Sequence, residues 1–335
     1  VSTNTTKKYL TWLAFSYVVF IAIWFLLRVI FFDRLWPLAV LNTIAQYLLF
    51  LPLPVLLIIA IWRRNRSSLL QLLIPIIVFS ILFGELFLPS FSRPKVSEGQ
   101  LITVMSFNVL YSNKAYGAIV DSVHAASPDL VGFQELTSTS KEALIKTLES
   151  EYPYHTLSLS EEGLSVGLLS RYPIEMVERF PLPPRNPAQH TIINIEGQRV
   201  HVFVVHLTAN LFFEHSISEF VPLVIERFGQ RAAEVTRLRE EIVMLNEPVL
   251  LMCDCNLTEP SEAHYQLDEF LNDSFREVGW GFGHTLHPPA IPIPIQRIDY
   301  VWHSDDFIAL EAFVGQKGNS DHLPVVAKLR LVEMP

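Results

Sequence analysis

Three long apolar runs open the chain, Leu10–Phe32, Leu35–Trp62 and Leu69–Leu88, and a different pattern follows them. Each run is long enough for a hydrocarbon core that needs about 20 apolar residues. Their only formal charges are Arg28, close enough to an end to snorkel, and Glu85. A secretory signal would have an apolar core of about 7–15 residues and a small-residue cleavage site, and neither fits the first run. Pro52 and Pro54 are tolerable as kinks in a membrane helix. The pattern therefore predicts three spans inside a membrane region of residues 1–95.

From Leu101 the runs shorten to strand length. LITVMSFNV, LVGFQE, SVGLLS, TIINIE, VHVFVVHL, PVLLMCDCN, RIDYVWH and PVVAKLRL read as strands, and Ala115–Ala126, Ser140–Glu151 and Gly229–Leu245 as helices. Several strands follow one another without a helix between them. This disfavours a purely parallel doubly wound sheet and favours a layered α/β domain over 96–335, with two packed mixed sheets covered by helices.

Charge sharpens the division. Residues 1–95 hold 9 Lys/Arg and 2 Asp/Glu, leaving 16 and 32 of the chain's 25 and 34 to the remainder. The first region is thus apolar and basic, and the second is acidic. Lys7 and Lys8 precede the first span, and Arg63, Arg64 and Arg66 lie between the second and third, two crossings away. By the positive-inside rule the N-terminus is expected in the cytoplasm and the acidic domain outside it, although Arg93 and Lys95 beyond the third span reduce the contrast. The only cysteines, Cys253 and Cys255, are one residue apart and cannot staple distant segments. They read as small buried strand residues rather than as a metal or redox pair.

Candidate chemistry sits at strand ends, where a rigid scaffold presents side chains to one rim. Asn108 ends LITVMSFN, Glu135 ends DLVGFQE, His206 ends VHVFVVH, and Asp254 and Asn256 end PVLLMCDCN. Asp299 lies in QRIDYVW, and Asp321 and His322 in GNSDHLP. Each alone is as readily a cap or a solvated turn. Together they supply what phosphoester hydrolysis needs: a hard cation, a group to orient or deprotonate water, and donors for charge on the phosphorus oxygens. Carboxylates suit Mg²⁺, with Mn²⁺ as an alternative, and the lack of a Cys- or His-rich cluster argues against zinc. On a strand, the one-residue gap points Asp254 and Asn256 to one face.

As an ordered series, SFNV, GFQE, VVHL, CDCN, RIDYV and SDHLPV resemble the endonuclease/exonuclease/phosphatase (DNase I-like) superfamily over about Leu101–Leu331. GFGHTLHP before RIDYV is similar to its membrane-anchored bacterial branch, which implies a bacterial cytoplasmic membrane. The resemblance implies a four-layer α/β sandwich with its active site at one rim, and direct water attack at phosphorus. It further implies that Glu135, Asn108 and Asp321 hold the metal and that Asp254 aligns or deprotonates water. Asn256, His206 and His322 would bind phosphate oxygens, His322 paired with Asp299. CDCN departs from the pattern where many relatives have glycine before the Asp. In GQRAAEV, Arg231 is present as a substrate contact or a solvated helix cation, but Glu234 stands where an amide is expected. His284 and His287 lie in a proline-rich loop.

The substrate is less constrained. A domain gripping long duplex DNA usually neutralises several phosphates with Lys and Arg, and this domain is acidic without an evident basic cluster. A lipid or small phosphoester outside the cytoplasm is therefore expected ahead of DNA or RNA. A phosphate-binding membrane sensor without turnover is the reading from another class, and no protein partner is predicted. The apolar segment between Leu207 and Gly229 reads as buried helix, lid or lipid-contacting patch.

Overall fold

The computed structural model describes residues 3–88, 98–157, 165–184, 186–210 and 217–332. Among these, three stretches are long and apolar enough to cross a membrane: Lys8–Phe31, Ala45–Trp62 and Arg66–Leu86. The predicted second run is subdivided. Its first residues form a separate helix, Trp36–Thr43, that ends at Ile44, where the backbone leaves helical geometry (φ −107°, ψ 11°). Asn65 Nδ2 donates to Thr11 Oγ1 at 2.9 Å, so the Arg63–Arg66 turn lies beside the N-terminal end of the first helix, with Lys8.

The remaining chain forms two mixed six-stranded sheets. In chain order the strands are β1 (Gln100–Asn108), β2 (Leu130–Leu136), β3 (Tyr154–His155), β4 (Ser165–Ser170), β5 (Ile174–Leu182) and β6 (Asn186–Ile195). They continue as β7 (Gln198–His206), β8 (Val249–Asp254), β9 (Asn272–Asp273), β10 (Asp299–His303), β11 (Phe307–Val314) and β12 (Val325–Leu331). Sheet one has the order β11-β12-β1-β2-β4-β3, and sheet two β5-β6-β7-β8-β10-β9.

Alternation along the central strands builds three cores and hence four layers. Ile102 and Val104 of β1 face Val202, Val204, Leu250 and Met252 of the other sheet. The opposite face, Met105, Phe107, Val131 and Phe133, packs under helices Tyr116–Ala126 and Ser138–Leu148. Phe203, Val205, Leu251 and Trp302 pack under Val235, Leu238 and Ile242 of helix Ile217–Ile242. Strands covered on both faces carry continuous apolar runs, which is why they were readable. A Cβ on Gly132 would fall 2.8 Å from Met252, so glycine there lets the sheets approach.

Four strands were not anticipated: β3, β5, β9 and β11. All four are sheet edges, and β5 is largely exposed, so burial gives it little apolar pattern. The last long helix begins at Ile217 rather than Gly229. It buries Leu223 and Val224 but leaves Ile225 exposed, so the buried-helix expectation holds for part of the apolar segment, and 211–216 lie outside the described residues.

Candidate active site

Strand register brings the predicted residues together. Parallel pairing of β7 with β8 sets His206 opposite Asp254, and antiparallel pairing of β10 with β8 sets Asp299 opposite the same residue. Three titratable groups thus stand abreast at one end of sheet two. Sheet one supplies Asn108 and Glu135 from the adjacent parallel strands β1 and β2, the latter where the β2–β4 register shifts. Bulges commonly re-aim a side chain beside an active site. Glu135 and Asn256 both have left-handed backbones, with φ of 59° and 50°. For Glu135 in particular this is a strained conformation, of the kind that persists where the surroundings over-determine it.

Two groups of potential metal-ligating side chains share Asp254: Glu135, His206 and Asp254, and Asp254, Asp299 and His322. His206 Nε2 lies 3.3 Å from Asp254 Oδ2 and 4.0 Å from Glu135 Oε1. Asp299 Oδ2 accepts from His322 Nδ1 at 2.9 Å, while His322 Nε2 lies 3.9 Å from Asp254 Oδ2. Asn108 is fully buried and donates through Nδ2 to Glu135 Oε1 (2.9 Å) and Asp254 Oδ2 (2.7 Å). Its oxygen accepts from Leu110 N, so in this arrangement Asn108 ties the carboxylates together instead of offering an oxygen to a metal. Asn256 gives one amide hydrogen to Leu207 O, leaving the other for a ligand.

Electrostatics separates the roles. Burial raises the Asp254 carboxyl above its ordinary range, against the lowering pull of His322. Burial would push the His322 imidazole down, but Asp299 and Asp254 reverse this and raise it to about 10, so it is an imidazolium at neutral pH. Burial also opposes ionisation of Glu135, yet His206, Asn108 and the Tyr111 N–H hold it below the ordinary carboxylate value. In the pair Asp299–His322 the imidazolium is a fixed cation suited to receive an anionic oxygen. Asp254, lying between two imidazoles, is suited to orient water and take its proton.

The donor set fits a hard divalent cation. Oxygens of Glu135 and Asp254 converge, and Asp299 Oδ1 and Asp321 Oδ1 are buried without a hydrogen-bond partner. Unpaired buried oxygens of this kind are costly. Asp321 lies outside both close groups, its backbone oxygen accepting from His287 N at 2.7 Å. Such a cation, when bound, neutralises a substrate oxygen and acidifies water.

Other predicted residues lie elsewhere. Arg231 is neither at the rim nor solvated: it is 2% exposed, with Nη1 donating to Thr208 O and Asn256 O. That placement suits holding the Asn256 segment more than touching substrate. Glu234 accepts from Thr208 N at 2.9 Å, fixing the chain just after His206. Cys253 and Cys255 are buried as expected but joined in a disulfide. Cys255 lies just past the end of β8, before the left-handed Asn256, and the turn brings the two Cα atoms to 5.0 Å.

Sequence reading passed over three supports. Thr285 Oγ1 accepts from Asp299 N (3.2 Å), Ser320 Oγ accepts from His322 N (3.1 Å) and donates to Asn108 O (2.8 Å). Arg297, two residues before Asp299, binds Glu259 and Asp273. Their types are common in loops, and only the Thr in GFGHTLHP and the Arg in QRIDYV gave a local signal.

Comparison with solved structures places this fold among known proteins. An endonuclease/exonuclease/phosphatase from Beutenbergia cavernae is 22% identical with a TM-score of 0.57, covering 70% of this chain and 73% of that one. Truncated TDP2 of Caenorhabditis elegans is 17% identical (TM-score 0.55, 69% and 97% covered). A mannosyl-6-phosphatase of Bacteroides thetaiotaomicron is 16% identical (TM-score 0.53, 68% and 99%). No curated protein matches the chain. The model of the Endonuclease/Exonuclease/phosphatase family matches residues 105–322, which include every residue of the candidate site from Asn108 to His322, and the chain belongs to that family of metal-dependent phosphoester hydrolases.

Proposed function

We propose that this chain is a membrane-anchored phosphoester hydrolase that uses Mg²⁺ or Mn²⁺ and acts on a lipid or other small phosphoester outside the cytoplasm. The observation that carries the reading is Asp254, shared by two groups of convergent carboxylates and imidazoles, with unpartnered buried oxygens beside them. Glu135 and Asp321 would hold the cation, Asp254 would activate water, and His206, Asn256 and the imidazolium of His322 would receive the phosphoryl oxygens.

Three features support the location and substrate. Rim loops bond to the end of the apolar helices away from the Arg63–Arg66 turn, through Arg28 Nε to Pro260 O (3.0 Å) and Gln46 Nε2 to Ile295 O (2.7 Å). With those arginines inside, the domain lies outside. A buried disulfide suits an oxidising compartment. The acidic domain offers little for counterion release from a duplex.

The test is the purified full chain in nanodiscs against DNA, RNA, phospholipids, inositol phosphates and simple diesters, with and without Mg²⁺ or Mn²⁺. Metal-dependent release from a lipid or small ester is expected. Preference for nucleic acid would overturn the substrate, and no turnover on any of them would leave a phosphate-binding sensor as the better reading.

A further inference from the structure

The loop joining the first two apolar stretches does more than turn the chain around. Asn42 is 1% exposed, and every polar atom of its side chain is committed: Oδ1 accepts from Trp24 Nε1 at 3.1 Å, and Nδ2 donates to Asp33 Oδ1 at 2.6 Å. Its backbone oxygen accepts from Thr258 Oγ1 at 3.4 Å. Asp33 Oδ2 accepts from Glu262 N at 2.8 Å, Arg28 reaches Pro260 O, and Arg34 pairs with Glu262 at 2.6 Å. These contacts land on the segment that leaves Asp254 and Asn256. Arg231 holds the same segment from the other side through Asn256 O.

A second arm behaves alike. Gln46 and Tyr47 both donate to Ile295 O, and Gln296 Nε2 donates to Thr43 O at 2.9 Å. The segment they grip contains Thr285, which receives Asp299 N, and Leu286, which bridges to His322. The segment that carries Asn256 and the one that supports Asp299 and His322 are therefore bonded to the anchor, not to other parts of the domain alone. Ordering such segments costs backbone entropy, so what fixes them matters to the geometry of the site.

We infer that the Asp33–Tyr47 segment is a working part of the catalytic centre, with Asp33 and Asn42 positioning residues that hold 256–262, and Asn256 with it, in its active geometry. This rests on the proposed reading of the site as hydrolytic. Anchoring and turnover are then coupled even for a substrate that never touches the bilayer.

The test uses the full chain in nanodiscs with bis(p-nitrophenyl) phosphate and Mg²⁺, so that access to lipid plays no part. Asp33→Ala removes the acceptor for Glu262 N. It is expected to lower kcat about ten-fold with KM little changed, since small misplacements of reacting groups cost up to about 10²-fold. Amide exchange over 256–262 should rise in the same variant. Asp33→Asn keeps an acceptor for Glu262 N at the cost of the bond from Asn42, and should restore part of the rate and the protection. Should Asp33→Ala fail to fold, Thr258→Val deletes one hydroxyl and should lower kcat about three-fold in the same direction. Wild-type kcat in the variants would overturn the inference. If the wild-type protein turns over no substrate, the hydrolase reading fails by itself, and unchanged exchange over 256–262 in Asp33→Ala would separately remove Asp33 from any positioning role.

Discussion

Two buried polar clusters lie within a few residues of one another and differ in what they lack. Around Arg297, one guanidinium meets Glu259 at 2.7 Å and Asp273 at 2.6 Å, all with side chains at most 5% exposed. Burial disfavours the charge on Arg297, but the two carboxylates hold its pKa above the usual value, and Arg297 in turn holds Asp273 well below the carboxylate range despite burial. Around Asp254, no Lys or Arg among the described residues pairs with the convergent carboxylates: Glu135, Asp254 and Asp299 meet imidazoles and neutral donors such as Asn108, and one oxygen each of Asp299 and Asp321 stays unpartnered. Charge compensation supplied by the chain marks a structural cluster; compensation left to a ligand marks a site. A buried pair broken on one side leaves a bare charge, whereas a site missing its ligand tolerates loss of a carboxylate.

Substitution at each centre should therefore break different properties. Asp254→Asn is expected to lower metal-dependent turnover by about 10³-fold, the scale of a lost acid–base group, measured by steady-state kinetics. In metal-free buffer at pH 7 the same variant should unfold no earlier than wild type. Burial raises the folded pKa of Asp254, so ionisation opposes folding as pH rises through the raised value, and the amide removes that opposition. A clear loss of metal-free stability in this variant would erase the distinction between the clusters.

At Arg297 the expectation reverses. Arg297→Met should cost about 3–5 kcal/mol in denaturant unfolding by stranding Glu259 and Asp273. The protein that stays folded should still gain stability from Mg²⁺. For wild type that gain is about 2.7 kcal/mol at 100 times the dissociation constant, read as a shift in thermal midpoint. A flat response of wild type to both Mg²⁺ and Mn²⁺ would contradict the ligand-compensated reading of the Asp254 cluster.

A third buried group gives the smallest effect and a control outside both. His190 Nε2 lies 2.8 Å from His201 Nδ1, and the ring stacks on Phe203 at 4.3 Å. Burial, and secondarily His201, lowers His190 to about 4 from an ordinary 6.5. The unfolded chain thus binds this proton first, and His190's contribution to stability, full above about 6.5, is lost as pH falls toward 4. Thermal midpoints across that window should slope less in His190→Gln than in wild type, with turnover at neutral pH unaltered.

How much of this was legible in the sequence follows from what each feature requires. Central strands declared themselves because burial on both faces demands unbroken apolar runs such as VHVFVV and VLLMC. Edge strands such as IEMVERFPL answer to fewer neighbours and looked like loop. Asp254, His206 and Asp299 stood out as candidates because they are polar positions at apolar strand ends, and strand register sets the three abreast. The reach of Asp33 and Asn42 was invisible, since their partners lie more than 200 residues away and a short polar interruption between apolar runs reads as a turn. Arg231 was ambiguous for a related reason: helical spacing does not say whether a cation faces solvent or, as here, the carbonyls of Thr208 and Asn256. The disulfide escaped because two-residue spacing on an ideal strand holds side chains apart, and the strand ends before Cys255.

The left-handed backbone at Glu135 has an evolutionary corollary. Glycine, and to a lesser degree asparagine, occupies that region with little penalty, whereas glutamate is held there against an intrinsic preference of order 1 kcal/mol. Selection for folding alone would let the position drift to glycine. Relatives that have lost hydrolysis should show that drift, and glutamate retained in demonstrably inactive ones would mean that something other than turnover preserves it.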